Sequence, residues 1–299
     1  MDDIKNFEVD NKIPGKDITE EDLKSKFPLA AKKYDGHKTT IKVGDVEIGG
    51  DELVIFAGPN TVENRDMIIE TAKEVKKRGA HFLRAGAYKP LTFPYRSNSY
   101  FELREKGIEY LKEAKELTGI NVITEIMHIE KIEEISSVSD ILQVGTRNMQ
   151  NYPLLEALGK QKKPVMLKRH YGASLRDWLG AAEYILYNGN PNVILCERGV
   201  SVTHTHRSTS RFLLDLQVIP AARDFTHLPI ISDPSHATFW ADWVPSMCYA
   251  SVGSGVDGVM VEVHPDPKNA ATDPLQPIGF ETFSDVMNKM NKIHKILQS

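Results

Sequence analysis

The amino-acid sequence predicts an α/β fold, a closed (β/α)8 TIM barrel carrying a short N-terminal extension and hairpin. Three observations predict it. From Leu53 onward, apolar runs of strand length alternate with longer stretches of helical period. Those runs are apolar throughout, as parallel strands covered on both faces require. Eight such units fit into about 245 residues, the usual span of this barrel. An open doubly wound sheet usually has fewer strands and a glycine-rich nucleotide loop after the first, and neither fits here.

Taken in order, residues 1–50 read as an N-terminal arm and β-hairpin, and residues 51–299 as the barrel. Up to about Lys38 the arm is polar and charged, with a short helix expected over residues 20–27 behind a Thr19 cap. Residues 39–46 and a turn at Gly49-Gly50 read as a small hairpin that plugs the barrel or lies against it. The eight strands are read at VIFAGP (54–59), HFLRAG (81–86), VITEI (122–126) and ILQVG (141–145). They continue with VMLKR (165–169), VILCER (193–198), IISDP (230–234) and VMVEVH (259–264). Helical period marks residues 65–78, 101–117, 154–158, 175–187, 210–222, 240–252 and 280–297.

Composition narrows the function. Lys plus Arg number 37 and Asp plus Glu 41, a balance of −4, so the chain lacks the basic footprint of a general nucleic-acid binder. The two cysteines, Cys196 and Cys248, cannot staple a fold this large and fit a reducing cytoplasm. The acidic N-terminus has no apolar leader region, and no apolar run reaches the length of a membrane span, so a cytoplasmic location without membrane partners is expected.

In a barrel of this kind the active site forms where the strands end. Those ends read Asn60, Arg84, Lys89, Glu125, Gln143, Arg147, Lys168, Glu197, Arg198, Asp233, His236, Glu262 and His264. Arg84, Lys89, Arg147, Lys168 and Arg198 place five cations at one mouth. Like charges crowded together repel and lose solvation, so a ligand bearing both phosphate and carboxylate is expected to neutralise them. For any single cation the alternative is a rim carboxylate such as Glu125 or Glu197. His236, Glu262 and Asp273 could together hold a divalent ion, or His236 could simply bond Glu262; sequence spacing does not separate the two. His204 and His206 alternate in a loop and read as solvated.

The strings FAGPN (56–60), RAGAYKP (84–90), VGTRNMQN (144–151), PVMLKR (164–169), ILCERG (194–199), SDPSH (232–236) and VEVHPDP (261–267) together resemble one family. It is the phosphoenolpyruvate-dependent 3-deoxy-ulosonate synthases, which make 3-deoxy-heptulosonate 7-phosphate (DAHP) or 3-deoxy-octulosonate 8-phosphate. The resemblance covers about residues 40–295 and is closer to the short bacterial DAHP synthases. It implies an aldol-like condensation in which C3 of phosphoenolpyruvate attacks an aldose or aldose phosphate, water adds at C2 and phosphate leaves. By motif position Arg84, Lys89, Thr146 through its amide, Arg147, Lys168 and Arg198 would bind phosphoenolpyruvate. Asn60, Pro90, Leu91, Thr92 and Asp233 would face the aldehyde, and Lys89, Glu125, Asp233 and His236 would carry the chemistry. Homodimers or homotetramers are usual in the family.

The departures are as informative. Metal-dependent relatives have Cys after Ala-Gly-Pro; here that residue is Asn60, while the matching ligands His236, Glu262 and Asp273 remain. A neutral amide cannot replace a soft thiolate, so weak binding of a Mn, Zn, Mg or Co type ion, or none, is expected. The family's Lys-Pro-Arg-Thr string, which grips the acceptor phosphate, is Lys89-Pro90-Leu91-Thr92 here, followed by Phe93. Arg96 could stand in for the lost arginine. Around residues 200–211 the usual Arg-Thr-Phe-Glu and Thr-Arg-Asn-Thr strings are replaced, and Arg207 and Arg211 offer new cations. His170 stands where Gly is usual. The expectation is an intact phosphoenolpyruvate half and a rebuilt acceptor half. True DAHP synthesis from erythrose 4-phosphate is the strongest named alternative, an enzyme like the 3-deoxy-octulosonate 8-phosphate synthases stands beside it, and a non-catalytic phosphoenolpyruvate-binding protein is the one from another class.

Overall fold

A computed structural model describes Glu21, residues 24–89, 102–203, His206 and residues 212–299. Eight parallel strands close into a barrel: β3 (Val54–Gly58), β4 (Phe82–Arg84), β5 (Asn121–Glu125), β6 (Ile141–Val144), β7 (Val165–Lys168), β8 (Val193–Glu197), β11 (Ile230–Ser232) and β12 (Gly258–Glu262). The circle closes where β12 pairs with β3, Glu262 lying opposite Gly58. The expected strands are all present, each ending one or two residues early. Residues just past the ladder, such as Asn60, Arg169 and Arg198, form the rim.

Side chains alternate along each strand and build two cores. Val54, Phe56, Phe82, Ile123, Ile141, Met166, Ile194, Ile231 and Met260 fill the barrel. Their strand neighbours Ile55, Ala57, Leu83, Val122, Leu142 and Leu167 face the helices. Ile41, Val43 and Ile48 join the inner cluster, so the antiparallel hairpin β1 (Ile41–Val43) and β2 (Val46–Ile48) plugs the barrel. Its reversal lies at Gly44-Asp45, not at the expected Gly49-Gly50; Gly44 takes the left-handed φ of 58° that such a turn demands.

The outer layer comprises α1 (Arg65–Lys77), α2 (Glu105–Thr118), α3 (Ile132–Val138), α4 (Tyr152–Gly159), α5 (Leu175–Tyr187), α6 (Val218–Phe225), α7 (Pro234–Thr238), α8 (Val244–Gly253) and α9 (Phe280–Gln298). Local chemistry sets their starts. Asn64 accepts from the Met67 amide, and Ser174 and Asp177 form a reciprocal capping box. Three sequence expectations change. Helix α3 is an addition, because its seven residues carry too little periodicity to register. The helix expected over 210–222 starts only at Val218, since Phe212–Leu213 (β10) pairs antiparallel with Val200–Ser201 (β9). The stretch 240–252 divides into a 3-10 turn at Ala241–Trp243 and α8, with α7 lying separately before it. Of the helix expected over 20–27 and its cap, Thr19, Glu20, Asp22 and Leu23 lie outside the described residues; the Ser25 amide bonds the Glu21 carbonyl at 2.9 Å.

Candidate active site

The rim residues collect at the end of the barrel opposite the hairpin plug. Arg84 leaves β4 as a buried side chain, and its guanidinium donates to the Pro59 carbonyl at 3.0 Å. Gly58 lets the β3 backbone close against β4 at this point, because a Cβ there would stand 2.4 Å from the Arg84 carbonyl oxygen. Arg84 also lies 3.8 Å from Glu262 at the end of β12.

Lys168 and Asp233 form a buried ion pair between β7 and the residue after β11. Asp233 caps α7, accepting the His236 amide at 3.2 Å, and contacts the His236 Nδ1 at 3.0 Å. With Nδ1–H donating to this carboxylate, Nε2 keeps its lone pair, which lies 3.9 Å from Glu262. Burial holds the imidazole well below its usual pKa, with Lys168 and Arg84 reinforcing the effect against Asp233. Burial would raise Asp233, but His236, Lys168 and Arg84 outweigh it and keep the carboxylate ionised. His236 therefore pairs foremost with Asp233, not with Glu262.

A second network spans Lys89, Asn60 and Asp273. The Lys89 ammonium donates to Asn60 Oδ1 at 2.7 Å. The Asn60 amide donates in turn to Asp273 Oδ2 at 3.0 Å and Thr272 Oγ1 at 3.3 Å. The stem of Lys89 is partly exposed while its ammonium lies deep; burial draws its pKa down, with Glu125 opposing and Arg84 assisting. Burial pushes the Glu262 carboxyl up to about 7, against the pull of Arg84. The loop bearing Thr272 and Asp273 is fastened by Glu63, which receives the Ala271 amide at 2.9 Å and His264 Nε2 at 3.0 Å.

Glu125 ends β5 beside Gly145, where a Cβ would stand 1.9 Å from its Oε1, so the side chain occupies space that only glycine leaves open. Thr146 opens the 3-10 turn Thr146–Asn148, where its N–H has no acceptor within the turn. Arg147, on the same turn, is exposed, unlike the buried Arg84, Lys168 and Arg198. Glu197, a sequence candidate to neutralise a rim cation, instead bonds Arg169 at 3.0 Å; Arg169 also holds Asp215 at 2.8 Å. Arg169, Thr272 and Gln276 are structural participants that the motif positions did not single out. Gln276 donates its amide to Glu262 from a position 14 residues further on. Pro90, Leu91, Thr92, Phe93, Arg96, His204, Arg207 and Arg211 lie outside the described residues.

Among the described residues, no three His, Cys, Asp or Glu side chains gather in a way that could hold a metal ion. One Asp273 oxygen receives the Asn60 amide and one Glu262 oxygen the Gln276 amide, so both carboxylates are engaged by N–H groups.

Fold and site together define a (β/α)8 barrel whose strand ends gather buried cations beside an imidazole oriented by a carboxylate. The DAHP synthetase I family profile matches residues 26–299, and the chain belongs to that family. It is 40% identical over 267 residues to the phospho-2-dehydro-3-deoxyheptonate aldolase of Thermotoga maritima, covering 89% of this chain and 77% of the relative. The crystal structure of that Thermotoga DAHP synthase superposes with a TM-score of 0.84 at 39% identity, covering 90% of this chain and 77% of the other. A 2-dehydro-3-deoxyphosphooctonate aldolase from Koribacter versatilis is 24% identical, over 85% of this chain and 95% of the relative. The chain is thus a transferase of the phosphoenolpyruvate-dependent aldol type.

Proposed function

We propose that the protein condenses phosphoenolpyruvate with an aldose or aldose phosphate whose binding pocket differs from that of DAHP synthases, and does so without a bound metal. The observation that carries this reading is the burial of Arg84, Lys168 and Arg198 at one barrel mouth with Lys89 beside them. Such a set is stabilised by a compact ligand bearing phosphate and carboxylate. Arg84, Lys168, Arg198, Arg147 and the Thr146 amide hold phosphoenolpyruvate, and their charge favours electron demand at C2 as the reaction proceeds.

C3 attacks the aldehyde carbon, forming the new carbon–carbon bond. The Lys89 ammonium, deep and drawn down in pKa, gives its proton to the aldehyde oxygen. Water then adds to C2, and its proton passes to His236 Nε2, the lone pair that the Asp233 contact leaves exposed to the site. The resulting hemiketal phosphate collapses by C2–O cleavage, giving a 2-keto acid and inorganic phosphate. Glu125, held beside Gly145, opposes the ammonium charge of Lys89. Asn60 joins Lys89 to Asp273 and thereby positions the acid where relatives with Cys would place a metal.

The acceptor divides two readings. Leu91 in place of the phosphate-gripping arginine, and Phe93 where a small residue is usual, favour an altered aldehyde. Similarity to the Thermotoga DAHP synthase favours erythrose 4-phosphate. Phosphate release from phosphoenolpyruvate across a panel of aldoses and aldose phosphates, with and without chelator, decides between them. Turnover with erythrose 4-phosphate alone would overturn the altered acceptor; loss of turnover on chelation, restored by metal, would overturn the metal-free mechanism. Cys196 and Cys248, both free and buried, fit a reducing cytoplasm. Among the described residues no helix is long and apolar enough to cross a membrane. Self-association into a dimer or tetramer completes the reading and is checked by light scattering.

A further inference from the structure

The buried cations of the barrel mouth are oriented in different ways. Lys168 faces the Asp233 carboxylate and Arg84 faces Glu262. The guanidinium of Arg198 lies over the Phe212 ring, 4.3 Å from its centroid. A carboxylate orients a cation while cancelling its charge. An aromatic face orients it through the ring quadrupole and adds no counter-charge of its own. The adjacent carboxylate, Glu197, turns to Arg169 at 3.0 Å and to the amides of Gly199 and Asp215 at 2.6 and 3.3 Å.

Phe212 is itself fixed on several sides. It pairs with Ser201 across the β9–β10 ladder, and the Ser201 amide bonds the Tyr171 carbonyl at 2.8 Å. The Tyr171 ring tilts against Phe212 at 5.6 Å. A Cβ at Gly199 would meet the Phe212 Cβ at 2.9 Å and the Ala237 Cβ at 3.0 Å, so Gly199 lets β10 close against α7. Three residues on, Asp215 is held by Arg169. The ring is therefore a rigid support, built from the excursion after β8.

We propose that Phe212 is a positioning residue for phosphoenolpyruvate, holding the Arg198 guanidinium in its anion-binding orientation. The inference rests on the phosphoenolpyruvate reading and extends it to a residue that makes no direct claim on substrate. Calorimetric titration of phosphoenolpyruvate into the full-length chain tests it, with Phe212→Leu and Phe212→Tyr compared with wild type. Phe212→Leu keeps apolar volume and removes the π face, and should weaken binding about 3- to 30-fold. Phe212→Tyr restores the face and should bind within about twofold of wild type. In an Arg198→Lys background, the Phe212→Leu effect should shrink, because the two changes remove one shared interaction.

Thermal melting separates a local effect from a general loss of packing; should Phe212→Leu fail to fold, Phe212→Met takes its place in the series. Wild-type-like binding by the folded Leu or Met variant overturns the inference, as does a Tyr variant that remains equally weak. A wild-type chain that binds no phosphoenolpyruvate overturns the functional reading itself, an outcome distinct from both.

Discussion

The Asn60 amide and the Asp273 carboxylate meet at 3.0 Å although 213 positions separate them in the chain. Because Asn60 Oδ1 also receives Lys89, one neutral side chain links a cation to an anion where metal-dependent relatives have a thiolate. The expected consequence is that exhaustive chelation leaves turnover unchanged. Asn60→Cys, with His236, Glu262 and Asp273 retained, should take up more Zn or Mn than wild type, measured by metal analysis after dialysis. Equal metal content in the two proteins would count against this account of position 60.

The Lys168–Asp233 pair is buried on both sides. Asp233→Asn leaves an ammonium without its counter-charge and should destabilise the fold by about 3–5 kcal/mol. It also replaces an acceptor-only carboxylate beside His236 Nδ1 by an amide that can donate as well as accept, which loosens control of the His236 tautomer, so kcat should fall further than the stability loss explains. Adding Lys168→Met to Asp233→Asn should recover much of the melting temperature and none of the activity. Recovery of both would show that the pair serves packing alone.

Gly145→Ala isolates Glu125. The new Cβ would stand 1.9 Å from Glu125 Oε1, the mobile end of a side chain, so the carboxylate moves before the backbone does. Stability should change by only about 1 kcal/mol, while kcat drops about tenfold or more as the charge beside Lys89 is displaced. A variant with unchanged kcat would remove Glu125 from the reaction.

The barrel was legible because its strands are apolar on both faces, and that pattern survives without any tertiary information. Rim residues at strand ends were legible for the same reason: Arg84, Lys168 and Asp233 follow directly from where each run stops. Contacts that join distant loops were not. Gln276 supports Glu262 from a loop with no periodic signal, and Arg169 draws Glu197 away from the cations it was expected to neutralise. Phe212 sits in a two-residue strand too short to register, inside a stretch that reads as helical.

Acid should destabilise the plugged end of the barrel through His227. Its Nε2 lies 2.8 Å from the Leu29 carbonyl and its Nδ1 2.6 Å from Thr39 Oγ1, a geometry that suits the neutral ring with Nε2 protonated. Burial lowers its pKa below the ordinary 6.5, and the stacked His37 ring at 4.1 Å adds a like charge when protonated. A histidine with a depressed folded pKa contributes fully above pH 6.5, and that contribution is lost as pH falls from there toward the folded value. Melting temperatures across the range from neutral pH into mild acid should fall less steeply in His227→Gln than in wild type. Parallel slopes would assign the acid sensitivity to other groups, such as the half-buried His81.

The acceptor prediction concerns Leu91, which follows Lys89-Pro90 where DAHP synthases carry an arginine. An arginine fork on a desolvated phosphate contributes about 2–5 kcal/mol, and a leucine offers no hydrogen bond at all. If the remainder of the pocket can still seat erythrose 4-phosphate, Leu91→Arg should raise kcat/KM for that aldehyde by about tenfold or more. The same substitution should leave the affinity for phosphoenolpyruvate within about twofold, because in the proposed reading that substrate is held by the buried Arg84, Lys168 and Arg198 and not by residue 91. It should also lower turnover of any unphosphorylated aldose that wild type accepts, since a charged group would then face an uncharged chain end. Those three readouts move in different directions. A gain confined to erythrose 4-phosphate locates acceptor choice at position 91; no gain counts against this account of position 91 and turns attention to residues 200–211, where the usual strings are replaced and Arg207 and Arg211 offer new cations.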